Sequence, residues 1–189
     1  SQLLMLGERE RVIMKPGKCL EKGRVFPAPI QPRQMMNHPR GSLRLDAAVA
    51  RPFYQSEVDI HCVPGGYFAE LAPDDVYAAA RYELGISLYT LGQHGALNDS
   101  KGRSGVAFLR ERFPDLRPRR ILDLGCTCGN STLPYAEAWP DAEVHALDLS
   151  APALRYAQAR SSVLGASVHY RQADASATGY GDGEFDLVV

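Results

Sequence analysis

The chain has 189 residues, of which 45% are hydrophobic and 23% charged. These values exclude wholesale disorder and allow one domain with an appendage, or two small domains, around a real core. The formal net charge of -1 leaves no electrostatic footprint for nucleic acid, and no run of about 18 apolar residues offers a membrane span. The N-terminus lacks the basic-then-apolar pattern of a secretory signal. Cys126 and Cys128 are one residue apart, which is not the spacing of a zinc or redox pair. Reduced thiols and a cytoplasmic location are the expectation.

Residues 1–72 read as an extended or cap segment. Arg11 to Met14 suits a short strand, and Met35-Met36 suit a gap in a core. Pro16, Pro27, Pro29, Pro32 and Pro39 exclude a long helix there. The alternating run Glu57 to Val63 suggests another extended piece, ended by Pro64-Gly65-Gly66. Residues 73–118 read as a helical lead-in. Asp74 or Asp75 can cap a first helix, which carries Val76, Ala80, Leu84, Leu88 and Leu91 at three-to-four spacing and closes at Gly92. A shorter helix follows from Gly102 to Phe113, and Pro114 and Pro118 break the chain.

Residues 119–189 are regular. Arg120 to Leu124 is a short apolar strand, followed by a Gly-rich turn and a helix from Ser131 to Trp139. Glu143 to Leu147 is a second strand. Ser150 caps a helix running to Leu164, with Pro152 in its first turn and Gly165 at its end. Ser167 to Arg171 and Phe185 to Val189 are the third and fourth strands. Strands alternating with helices at steps of about 25 residues predict an α/β fold, a Rossmann-like parallel sheet with flanking helices and right-handed crossovers.

The chemistry concentrates where the first strand meets its helix, in Asp123-Leu124-Gly125-Cys126-Thr127-Cys128-Gly129. Glycines there let backbone approach a ligand closely, and the helix beyond offers free amide donors to an anion. Asp148 closes the second strand, where a carboxylate can accept both hydroxyl hydrogens of a ribose diol. Asp174 lies just past the third strand, where it can accept from an adenine amino group. Gly-Cys-Thr-Cys-Gly fails the Gly-x-Gly-x-x-Gly pattern of a dinucleotide oxidoreductase at the second glycine.

In these residues the chain resembles the class I S-adenosylmethionine-dependent methyltransferases. Asp123, Gly125 and Gly129 match the first motif, with Thr127 where a glycine is usual. Asp148 matches the ribose-binding acid and Leu149 the residue packed on adenine. Asp174 with Ala175 matches the adenine-edge motif, and Phe185 to Val189 the strand-four motif. The resemblance implies S-adenosylmethionine as cofactor, bound by Asp123, Gly125, Cys126, Thr127, Gly129, Asp148, Leu149, Asp174 and Ala175. It implies in-line methyl transfer, with a small molecule as the acceptor given the absence of a basic patch.

The family's sheet has seven strands, so the expectation is a sheet truncated after strand four, completed by a missing C-terminal half or by a second chain. That half carries much of the acceptor site, so no catalytic residue is assigned. Tyr54, His61, Tyr67 and His94 are candidates to cap the pocket, with ordinary packing the simpler role for each. No clear metal ligand set is present. The competing readings are a non-catalytic cofactor-binding or interaction module of the same fold, and another nucleotide-binding enzyme.

Overall fold

The computed structural model of the chain describes residues 19–21, 24–26, 41–53 and 66–189. The expected strand at Arg11 to Met14, the Met35-Met36 pair and the run Glu57 to Val63 lie outside them, as do Tyr54 and His61. Cys19–Glu21 (β1) and Arg24–Phe26 (β2) form an antiparallel pair. The remaining described elements are Gly41–Arg44 (β3), a 3-10 turn at Gly66–Phe68, Tyr77–Tyr89 (α1), Ser100–Arg112 (α2), Arg120–Leu124 (β4), Thr132–Ala138 (α3), Glu143–Asp148 (β5), Ala151–Val163 (α4), Val168–Gln172 (β6) and Leu187–Val188 (β7).

Five of these strands make one sheet in the order β3-β6-β5-β4-β7, every neighbouring pair parallel. The predicted Rossmann-like α/β architecture is therefore present. Strands β4 and β5 are buried on both faces, as a parallel sheet between layers requires. On one face Ile121, Val144, Ala146, Val168 and Tyr170 pack with Val106 of α2, Tyr135 and Trp139 at α3, and Leu154 and Ala157 of α4. On the other, Leu122, Leu147 and Ala173 are covered by Tyr180 and Phe185 from the loop before β7.

Several boundaries shift for local reasons. Helix α1 begins at Tyr77 rather than at the expected aspartates. Asp74 sits at φ +62°, and the Asp75 carboxylate accepts from the N–H groups of Leu71, Ala72 and Tyr77 at 2.6, 2.9 and 3.0 Å, folding the entry strap instead. The fourth strand is shorter than Phe185 to Val189. Phe185 turns out of the ladder to meet the Tyr180 ring edge-on at 4.8 Å. The Asp186 carboxylate accepts from the N–H groups of Arg119 and Arg120 at 2.8 and 2.9 Å, which sets β7 against β4.

The largest addition to the expected topology is β3. Its four residues come from the segment read as extended or cap, yet they pair in register with β6 from Gly41↔Val168 to Arg44↔Arg171. Ser42 Oγ lies 2.9 Å from His169 Nδ1, and the Asp46 N–H donates to Gln172 Oε1 at 3.1 Å. Gly41 makes the entry possible. Its φ is +77°, and a Cβ there would lie 2.0 Å from the Val168 carbonyl oxygen. Gly41→Ala should therefore cost roughly 2–4 kcal/mol, the sum of a left-handed side chain and an overpacked contact. Denaturant unfolding of the variant measures this; an unchanged midpoint would show that β3 contributes nothing to the stability of the sheet.

Candidate functional site

The strands' carboxyl ends gather the predicted residues. The chain leaves β4 through Gly125 and crosses toward β5, where the Gly125 and Cys126 N–H groups donate to the Leu147 carbonyl at 2.8 and 3.0 Å. Gly125 and Gly129 both have φ +73°. The turn closes with the Gly129 N–H on the Cys126 carbonyl at 2.8 Å. Thr127, between them, also has a positive φ, +44°. A β-branched residue is uncomfortable there, and a bond holds it: its N–H donates to Asp148 Oδ2 at 2.9 Å. Burial raises the pKa of Tyr82, and Thr127 beside it opposes the shift.

Asp148 is the hub of the cleft. Oδ2 takes the Thr127 N–H and Oδ1 takes the Ser150 N–H at 2.8 Å. Burial pushes its pKa up, and these backbone bonds work against that shift. Ser150 in turn caps α4, accepting from the Ala153 N–H at 3.2 Å while its hydroxyl donates to the Tyr67 carbonyl. The neighbouring Leu149 carbonyl accepts from Gln172 Nε2 at 2.9 Å. Asp174 uses Oδ1 for both the N–H and the hydroxyl of Ser176, each at 2.7 Å, which lowers its pKa.

These residues enclose a cleft of about 220 Å³ lined by Gly125, Thr127, Leu147, Asp148, Leu149, Ala173, Asp174 and Ala175 on the sheet side and by Tyr67 and Phe68 opposite. Six of the nine predicted cofactor residues thus meet in one place. Hollows of about 840 and 600 Å³ lie toward the amino ends of the strands, and one of about 340 Å³ adjoins the cleft and shares Phe68 and Leu149 with it. The acidic groups Asp99 and Glu137 at the first of these are already paired with Arg103. In open parallel sheets ligands bind beyond the carboxyl ends, so the smaller cleft is the candidate.

The other three predicted residues support the turn from behind. Asp123 is 4% exposed and accepts from Ser131 Oγ and Thr132 Oγ1 at 3.0 and 2.6 Å. Burial pushes its pKa up to about 6 despite those bonds. Cys126 and Cys128 are buried, and burial drives both thiols away from the thiolate form that a nucleophile needs. Gly129 carries no side chain because a Cβ would lie 2.9 Å from the Tyr170 hydroxyl.

The wall the sequence identified only in part is the strap at residues 66–75. Tyr67 was a capping candidate and does face the cleft. Phe68 beside it had no signal of its own, and it is held by the Arg51 guanidinium 4.4 Å above its ring. Arg155 of α4 pairs with Glu70 and, at 2.7 Å, with Asp74. His94 is not in the cleft wall, and its Nδ1 lies 2.6 Å from Ser100 Oγ. Among the described residues no group of three or more His, Cys, Asp or Glu is arranged to hold a metal ion, and no helix is long and apolar enough to cross a membrane.

The raised pKa of Asp123 has a sign that can be measured. The folded state holds this proton more tightly than the unfolded chain does. The stability it confers is complete below about pH 4 and is lost as pH rises through about 6. Relative to Asp123→Asn, the unaltered protein should lose up to about 3 kcal/mol between pH 4 and 7, at about 1.4 kcal/mol per unit. Urea unfolding of both proteins at several pH values tests this, and a constant difference across that range would contradict it.

Residues 121–189 match a family described as a methyltransferase domain. Demethylmenaquinone methyltransferase of Thermus thermophilus is 39% identical over 84 residues, covering 42% of this chain and 38% of that protein. Malonyl-[acyl-carrier protein] O-methyltransferase of Pseudescherichia vulneris is 39% identical over 85 residues, 45% of this chain and 32% of that protein. Trans-aconitate 2-methyltransferase of Rhodopseudomonas palustris is 46% identical over 68 residues, 36% and 26% respectively. The chain spans well under half the length of these curated relatives. Among solved structures, the N-terminal domain of EvdMO1 with SAH bound is 32% identical at a TM-score of 0.39, over 46% of this chain and 36% of that one. The family match over 121–189 and the parallel strands β4 to β7 support a class I methyltransferase domain in this part of the chain.

Proposed function

We propose that the cleft binds S-adenosylmethionine and that the chain is the donor-binding part of a methyltransferase for a small-molecule acceptor. The single observation carrying this reading is the Asp148 carboxylate, fixed by two backbone N–H groups at the end of β5 and lining the same cleft as Gly125, Thr127 and Asp174. A carboxylate has acceptor sites for more than those two bonds, so Asp148 can also take the two hydroxyls of a ribose. Leu149, Ala173 and Ala175 offer apolar walls to a planar base, and Asp174 an acceptor for its amino group. Gly125 and Thr127 carry the backbone that faces the rest of the cofactor.

The cleft volume is consistent with a partial site. About 220 Å³ is below the roughly 300–1,000 Å³ of complete small-molecule pockets. The chain spans 38%, 32% and 26% of the three curated relatives, which supports reading the cleft as one part of a larger site. When bound, the cofactor supplies a sulfonium methyl electrophile. The protein's contribution is to align donor and acceptor, and a general base is required only where the acceptor must lose a proton.

Titration calorimetry with S-adenosylhomocysteine tests the assignment. Asp148→Ala should weaken binding by about 1–3 kcal/mol, because the hydroxyl groups it accepts from are left unpaired. Binding of NAD in place of S-adenosylhomocysteine would sink the reading, and an unchanged affinity in the variant would refute the ribose role. The positive φ of Thr127 is the observation that favours the second reading, a cofactor-binding module without transfer. Tight binding by a complete protein that never turns over any methyl acceptor would select it.

A further inference from the structure

Arg160 is 1% exposed and lies on α4, away from the cleft lining. Its Nη1 sits 2.7 Å from Glu83 Oε1 of α1 and donates to the Cys128 carbonyl, in the glycine turn, at 3.3 Å. Its Nη2 donates to the Leu97 carbonyl in the loop between α1 and α2. Glu83 also accepts from the Tyr156 hydroxyl. One buried guanidinium therefore touches three pieces of chain: the first lead-in helix, the loop that follows it and the turn that lines the cleft. Burying a cation is costly unless every donor finds a partner. A well-packed apolar residue would hold α4 against α1 at no such cost, so the charge needs an explanation beyond packing.

We infer that Arg160 is a positioning residue for the cofactor turn, fixing the Cys128 carbonyl and through it the backbone from Gly125 to Gly129 relative to α1. The direction of the contacts supports this. A guanidinium presents donors in a fixed planar fork, so the Glu83 carboxylate on Nη1 and the Leu97 carbonyl on Nη2 fix the plane of the fork and with it the direction of the Nη1 donor to the Cys128 carbonyl. The turn needs such a brace, because Thr127 holds a left-handed conformation that only surrounding bonds maintain. Next to Arg160, the Asn130 Nδ2 group donates to the Leu97 carbonyl at 3.2 Å, a second tie between turn and lead-in. The inference rests on the cofactor reading above and adds that the lead-in is part of the binding machinery.

The test measures affinity for S-adenosylhomocysteine and thermal stability together, on the 189-residue chain. Arg160→Met should raise Kd by about tenfold or more, the effect of releasing a charge-assisted bond in the binding loop. Arg160→Lys keeps a cation but not the fork and should fall between, at roughly threefold. The double variant Arg160→Met/Glu83→Met separates positioning from packing. Replacing both ions with apolar residues of similar size should recover the melting temperature, and the Kd should stay weak because nothing holds the Cys128 carbonyl. Recovery of affinity in step with stability would overturn the inference, as would an Arg160→Lys protein that binds like the unaltered one. Failure of the unaltered chain to bind S-adenosylhomocysteine would overturn the cofactor reading and this inference together. Normal binding by that chain and by every variant would overturn only the inference.

Discussion

One carboxylate holds two loops that would otherwise be independent. Asp148 accepts the Thr127 N–H from the turn after β4 and the Ser150 N–H from the start of α4. Both bonds are made to a charged acceptor in a partly buried place, where such bonds are roughly twice as strong as neutral ones. Without them Thr127 would lose a bond that maintains its positive φ, and Ser150 would lose an anchor for its cap. The strap also depends on the same point, since the Ser150 hydroxyl reaches the Tyr67 carbonyl. Turn, helix and strap are thus arranged around the Asp148 carboxylate.

A layered division of labour follows from burial. The residues that line the cleft keep acceptors or open backbone toward it. The residues behind it are sealed: Asp123 against two hydroxyls, Cys128 with its thiol on the Ala79 carbonyl at 3.5 Å, and Arg160 across three chain segments. Asp123 illustrates why a motif residue need not touch a ligand. Its carboxylate closes the space between β4 and the start of α3, so the glycine turn leaves the sheet at a fixed angle. A buried ionised carboxylate costs stability at neutral pH, and the protein tolerates that cost at the site where turn geometry matters most.

Most of residues 119–189 was legible because two independent signals agreed there: apolar runs at strand length and capping chemistry at the helix ends. Ser150 and Pro152 placed α4 within a residue of its true start. The acids at 123, 148 and 174 were legible because each closes or follows a strand. What the sequence hid depends on partners far away in the chain. Strand β3 contains one strongly apolar residue, Leu43, and becomes a strand only because the β6 edge, some 127 residues on, supplies its hydrogen bonds. The strap is irregular, and its aromatic pair acquires a role only through Ser150, Arg51 and Arg155. Arg160 reads as an ordinary polar residue on a helix, since nothing local announces its burial. Thr127 was visible as a departure from the glycine pattern, but its left-handed φ and its bond to Asp148 were not.

The central claim is that the ligand site is the small cleft at the carboxyl ends of the strands and not the larger hollows at the other end. Amide chemical-shift mapping during titration with S-adenosylhomocysteine tests it most directly. The account predicts shifts at Gly125, Thr127, Leu149 and Ala175, with Arg103, Glu137 and Ser167 around the 840 Å³ hollow unmoved. Shifts confined to that hollow, or none at saturating ligand, would contradict it.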